Sequence, residues 1–145
     1  MLETGGLALL FRWISVFRDS LSARAWFGSR RDVDLNGRCF RVSTRGMSGV
    51  VDSGTRLHFV QKGRRVVGRY VGGPIARGYF AGAIVRRQLW FGYIQRERNG
   101  EIHGGRSECD LLTLSDGRFR IVEHFRWSSR NGSGTNVFDE EPVAH

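Results

Sequence analysis

Lysine is almost missing from this chain: Lys62 is the single example, and the other 22 of the 23 basic residues are arginines spread over 145 positions. Such scattered charge reads as a codon-biased, solvated surface rather than a dedicated binding stripe, and no motif of the known nucleic-acid readers accompanies it. Cysteine occurs only at Cys39 and Cys109. That spacing offers no CxxC pair and no zinc site. A disulfide between them would require close Cα atoms; two buried or half-buried thiols in a reducing cytoplasm are the simpler expectation. The four histidines, His58, His103, His124 and His145, share no metal-ligand spacing, so no metal and no cofactor is expected. No Ser/His/Asp arrangement is legible, since spatial triads leave no trace in one sequence.

What is present is enough for one core. A chain of this length falls in the usual range of a single domain, and 40% hydrophobic with 12% aromatic residues argue against disorder. Twenty glycines against two prolines suit a fold rich in turns and bends. The formal charge is +9, which favours phosphates or anionic surfaces and keeps anion or nucleic-acid binding through arginine as an alternative function. Residues 1–31 carry five of the 23 bases and two of the 14 acids, so the remainder is still basic at +6.

The first part of the chain differs from the rest. Leu7, Leu10, Phe11, Ile14, Phe17 and Leu21 recur at steps of three and four, the spacing of one helical face over roughly four turns. Glu3 and Arg12 spoil a signal peptide, and the run is too short to cross a bilayer. Residues 1–33 are therefore read as an amphipathic, loosely attached extension. It packs over a barrel opening, touches an anionic membrane surface through 7–21, or extends the chain upstream from a misplaced start. The domain proper is 34–141, with a tail at 142–145.

After Asp34 the period changes from helical to alternating. Strands are predicted over Arg38–Thr44, Thr55–Lys62, Arg65–Val71, Ile75–Ile84, Gln88–Glu97, Glu101–Leu112, Arg118–Trp127 and Thr135–Asp139. Asn99-Gly100 is the strongest hairpin signal, and Ser115-Asp116-Gly117 marks another turn. No helix-length pattern separates the strands, which excludes parallel βαβ units. The fold class is all-β: an antiparallel up-and-down meander of about eight strands closed into a small barrel, because closure removes the sheet edges. A sandwich is the second choice. Eight strands leave an interior wide enough for side chains or one small ligand.

Residues with inward parity are Phe40, Leu57, Phe59, Phe91 and Tyr93, together with Phe119, Glu123, Phe125 and Trp127. Glu123 shares its face with rings because Arg120, His124 and Arg126 claim the other. A carboxylate in such surroundings must be paired or take up a proton. Tyr70, Tyr93 or an arginine are the expected partners, and Arg69, flanked by Val67 and Val71, is the internal arginine by alternation. On that strand Val66, Gly68 and Tyr70 form an equally apolar opposite set. His58 and His124 fall on outward parities.

The stretches LNGRCFRV (35–42), YVGGPIARGYFAG (70–82), LWFGY (89–93), NGEIHGG (99–105), SDGRFRIVEHFRW (115–127) and GSGTNVFDE (132–140) resemble a family of small bacterial all-β, calycin-like or lipocalin-like proteins often labelled N-acetylglutamate synthase. The likeness covers nearly all of 34–141. The family cysteine after the DG turn falls on Ser107, with Cys109 where a serine is usual, and Phe125 stands for a tryptophan. The label implies an acyl-transfer enzyme. Against it, the sequence after Asp34 has no glycine-rich loop opening a helix to hold a coenzyme pyrophosphate; Arg77-Gly78 and Gly104-Gly105-Arg106 sit in strand patterns. The leading expectation is a non-enzymatic binding barrel for a small apolar or amphiphilic ligand, with oligomeric state left open.

Overall fold

A computed structural model describes residues 32–142. The amphipathic stretch 7–21 and the end of the tail lie outside the described residues. Eight antiparallel strands follow in order: β1 (Cys39–Thr44), β2 (Arg56–Lys62), β3 (Arg65–Gly72), β4 (Ile75–Val85), β5 (Gln88–Glu97), β6 (Ile102–Thr113), β7 (Phe119–Trp127) and β8 (Ser133–Glu140). Each pairs with its neighbour in sequence, and β1 pairs with β8, so the sheet closes into a barrel and the sandwich is excluded.

Alternation decides which side chains enter. Along β7, Ile121, Glu123, Phe125 and Trp127 are buried while His124 and Arg126 are exposed. Along β3 the ambiguous parity resolves toward Val66 and Tyr70, and Arg69 is exposed. Turning the strand over would bring the guanidiniums of Arg65 and Arg69 into the core, whereas leaving Val67 and Val71 partly in water costs little. The expectation of Arg69 as an internal partner is thus corrected. The hairpin between β5 and β6 turns at Gly100, whose φ of +89° is the conformation its Asn-Gly signal calls for.

The two ends of the barrel differ. At one end the segment leading into β1 crosses the opening: Leu35 is fully buried, its N–H donates to Gln61 Oε1 at 2.8 Å, and Gln61 Nε2 donates to the Val33 carbonyl at 3.0 Å. Phe40, Phe59, Ile84, Leu89, Leu111 and Ile121 fill the interior above it. At the other end the β1–β2 loop, residues 45–55, folds inward with the β7–β8 loop beside it. A run of rings links the two halves: Phe40 to Phe59 at 5.2 Å, Phe59 to Phe80 at 4.7 Å, and Phe80 to Phe91 at 5.2 Å between centroids.

Two glycines make that arrangement fit. Gly68 stands opposite Phe80, and Gly78 opposite Tyr70. A Cβ at Gly68 would sit 2.1 Å from the Phe80 ring, and one at Gly78 2.3 Å from the Tyr70 ring. Each ring lies over bare backbone of the neighbouring strand, the close approach that only glycine permits.

Candidate functional site

Beneath the β1–β2 loop the interior is not filled. A cavity of about 40 Å³ is lined by Leu57, Tyr70, Phe80, Phe91, Tyr93, Phe125, Trp127 and Phe138, and by the polar side chains of Gln95, Glu123 and Asn136. Gly49, Val50 and Val51 of the loop form its roof. Space on this scale holds a few water-sized groups.

Seven of the residues singled out by alternation therefore meet around one cavity: Leu57, Tyr70, Phe91, Tyr93, Glu123, Phe125 and Trp127. Three others serve the packed half instead. Phe40 and Phe59 are core, and Phe119, half-buried at the start of β7, lies under the Arg38 guanidinium at 4.8 Å. Parity tells inside from outside but not height along the barrel, so alternation alone does not separate these three from the cavity residues. Arg69 points away altogether.

Glu123 is 6% exposed and faces the cavity. In the β-ladder it stands opposite Cys109 on β6 and Asn136 on β8. Ser107 Oγ donates to its Oε1 at 2.6 Å, and Asn136 Nδ2 donates to its Oε2 at 3.0 Å. The expected arginine or tyrosine partner is replaced by two neutral donors: the Tyr70 hydroxyl is taken by Gln95, the Tyr93 hydroxyl makes no hydrogen bond, and Arg106, the arginine of the neighbouring β6, is exposed. Burial pushes the Glu123 carboxyl upward from its ordinary range, and the Ser107 and Asn136 hydrogen bonds oppose the rise only in part. Ser107 occupies the place where the family resemblance puts a cysteine, and a hydroxyl is the better donor to a carboxylate.

A second polar chain leads from the cavity to the rim. Tyr70 donates its hydroxyl hydrogen to Gln95 Oε1 at 2.8 Å, Gln95 Nε2 donates to Glu97 Oε2 at 2.7 Å, and Arg130 Nη2 donates to the same oxygen at 2.6 Å. The Arg130 guanidinium also stacks on Trp127 at 4.5 Å. Tyr93 stands apart: its hydroxyl is buried and has no hydrogen-bond partner. Burial, followed by the nearby Glu123 charge, drives the Tyr93 phenol upward, and burial does the same to Tyr70.

The roof is tied to the walls. Gly46 N–H donates to Asn136 Oδ1 at 2.8 Å, and Trp127 Nε1–H donates to the Ser48 carbonyl at 3.0 Å. Asn136 thus holds the loop through its oxygen and Glu123 through its nitrogen. At the rim Glu97, Glu101 and His103 offer ligand atoms within 4.8 Å of one another, but Arg130 already neutralises Glu97, and a metal there would meet that guanidinium.

Ser107, Gln95, Asn136 and Phe80 were not singled out from the sequence. A signal was available for three of them: Ser107 shares parity with Cys109 and Leu111, Gln95 with Phe91 and Tyr93, and Asn136 with Phe138. The roof residues Gly49, Val50 and Val51 carry no periodicity and gave none.

Residues 33–141 match the family model described as avidin-like protein. The chain belongs to the avidin-like family. No curated protein and no solved structure matches it. The match covers the whole barrel, and it lends nothing to the N-acetylglutamate synthase label attached to the resembling sequences. In this avidin-like barrel Arg77-Gly78 lies within β4 and Gly104-Gly105-Arg106 within β6, where ladder hydrogen bonds engage the amides. The described residues contain no helix whose N-terminus could take a phosphate. Cys109 is buried, its thiol driven well up by burial, which leaves it a poor nucleophile.

Proposed function

We propose that this avidin-like barrel is a binding module that takes a small ligand into the cavity under its β1–β2 loop. The observation that carries the proposal is the unequal filling of the interior. Protein cores pack to the density of organic crystals, and an unfilled space costs stability. Here one half of the barrel is filled by large apolar side chains, while the other keeps a ring-walled space around Glu123, Asn136 and Gln95. Polar groups in an apolar wall cost stability as well, yet they are what fixes the orientation of a ligand. Avidin-like proteins bind small ligands such as biotin, which agrees in kind.

The cavity limits the size of what enters. Pockets for drug-sized ligands run to several hundred Å³, so about 40 Å³ admits a ligand of a few atoms or one end of a longer molecule. Val50 and Val51 cover the space, and the bonds from Gly46 to Asn136 and from Trp127 to Ser48 hold their loop in place.

The test is a panel of ethylammonium, ethanol, acetate and biotin at millimolar concentration. Melting temperature and the Trp127 indole N–H resonance are the readouts. A ligand at a hundred times its Kd stabilises by about 2.7 kcal/mol, and binding next to Trp127 moves a proton that is hydrogen-bonded to the roof. A flat response from every member overturns the proposal. Acetyl-CoA belongs in the same panel, because it raises the melting temperature only if a coenzyme site exists.

A further inference from the structure

We propose that the ligand of this cavity presents a small organic cation, an ammonium head, which Glu123 and the surrounding rings hold; this rests on the reading of the cavity as a ligand site. Glu123 is the starting point. Its two carboxylate oxygens together offer about four acceptor positions, and Ser107 and Asn136 take one on each oxygen. Two positions are left on a group that faces empty space. Among the described residues no basic side chain is seen in an ion pair with it; Arg130, on the rim, is bound to Glu97 at 2.6 Å. His124, next in sequence, faces outward and meets Thr135 Oγ1 at 3.1 Å. A buried carboxylate with neutral donors and no counter-charge is costly, and an entering cation supplies what the protein withholds.

The walls favour the same sign. Phe91 and Tyr93 stand at 68° with centroids 6.3 Å apart, Tyr93 and Trp127 at 76° and 5.5 Å, and Phe125 and Trp127 at 69° and 6.1 Å. Rings at such angles enclose the space from several sides, and their electron-rich faces attract cations, most strongly when water is excluded. The Tyr93 hydroxyl, buried and without partner, adds an oxygen lone pair for a second ammonium N–H. The cavity volume of about 40 Å³ sets the head at roughly the size of an ethylammonium ion.

Protonation links the site to pH. The titratable groups facing Glu123 are Cys109 from β6, Tyr93 from β5 and Tyr70 from β3, and burial drives all three upward. None of them loses a proton below neutral pH, and the His124 charge acts on Glu123 only from the outer face, so the upward-shifted Glu123 carboxyl is the group inside the cavity whose ionisation the pH profile of cation binding follows.

The experiment compares ethylammonium chloride with ethanol, its neutral counterpart in size, at constant ionic strength. It uses the full chain, with the Trp127 indole resonance and melting temperature as readouts. Ethylammonium is expected to bind at least about tenfold more tightly than ethanol. Its affinity should rise with pH until Glu123 is ionised. Glu123→Gln should remove both the preference and the pH dependence; the profile of the unaltered protein needs no variant and stands even if that variant misfolds. Equal binding of ethanol, a pH-independent affinity, or ethylammonium binding that survives Glu123→Gln overturns the cation and leaves the ligand cavity standing. Silence from both probes and from the rest of the panel overturns the cavity as a ligand site, and the cation with it.

Discussion

Replacing Glu123 by glutamine should make the empty barrel more stable at neutral pH, not less. Glutamine keeps the shape: its oxygen can accept from Asn136, and its amide can donate to Ser107 once that hydroxyl turns. What disappears is the charge. Because the folded carboxyl titrates above its unfolded value, the native state holds the extra proton in the window between the two. Stability from this group is fully present below the unfolded pKa, near 4.3, and is lost as pH rises through the folded one. Each unit of upward displacement costs about 1.4 kcal/mol once the group is ionised in both states. For a domain of this size that is roughly 6 °C in melting temperature. Melting curves of the two proteins from pH 4 to pH 8 provide the assay. Near pH 4 they should nearly coincide, and the glutamine variant should lead by a widening margin toward pH 8. A variant that melts below the parent at pH 8 would show that the carboxylate is an asset to the fold, and the case for an uncompensated charge would collapse.

Gly78→Ala should cost about 2–3 kcal/mol, since its Cβ would lie 2.3 Å from the Tyr70 ring and overpacking is paid in backbone shifts; chemical denaturation measures it, and a neutral result would mean the ring moves freely. Asn136→Ala removes a donor to Glu123 and the acceptor of Gly46 N–H, with an expected loss of about 2 kcal/mol. It should also speed hydrogen exchange at Gly46 well beyond the change at residues of β2, which separates release of the roof from general weakening. Arg69→Ala, on the outer surface, should change stability by no more than about 0.5 kcal/mol and leave ligand binding intact; a larger effect on binding would put that side chain back inside.

The barrel was legible because its strands are amphipathic and its turns carry glycine. Every predicted strand agrees with an observed one to within about two residues, the usual uncertainty at strand ends, and the inward position of Glu123 followed from the charges on either side of it. β3 escaped because valines stand on both of its faces, so that hydrophobicity alone could not orient Arg69. The partners of Glu123 escaped for a different reason. Ser107 and Asn136 come from β6 and β8, and only the ladder registers, Cys109 opposite Glu123 and Glu123 opposite Asn136, bring them within reach. Such registers depend on closure and stagger of the whole barrel, which no local stretch encodes. The roof was invisible because residues 45–55 are held by side chains remote in sequence.

The double attachment of that roof has a practical consequence. Met47 lies at its crest, fully exposed, between the two anchors at Gly46 and Ser48. Whatever disturbs Asn136 or Trp127 from within must pull on the chain on either side of this methionine. A fluorophore grafted at position 47 would therefore watch the interior from the outside, turning the occupancy of the chamber beneath it into light.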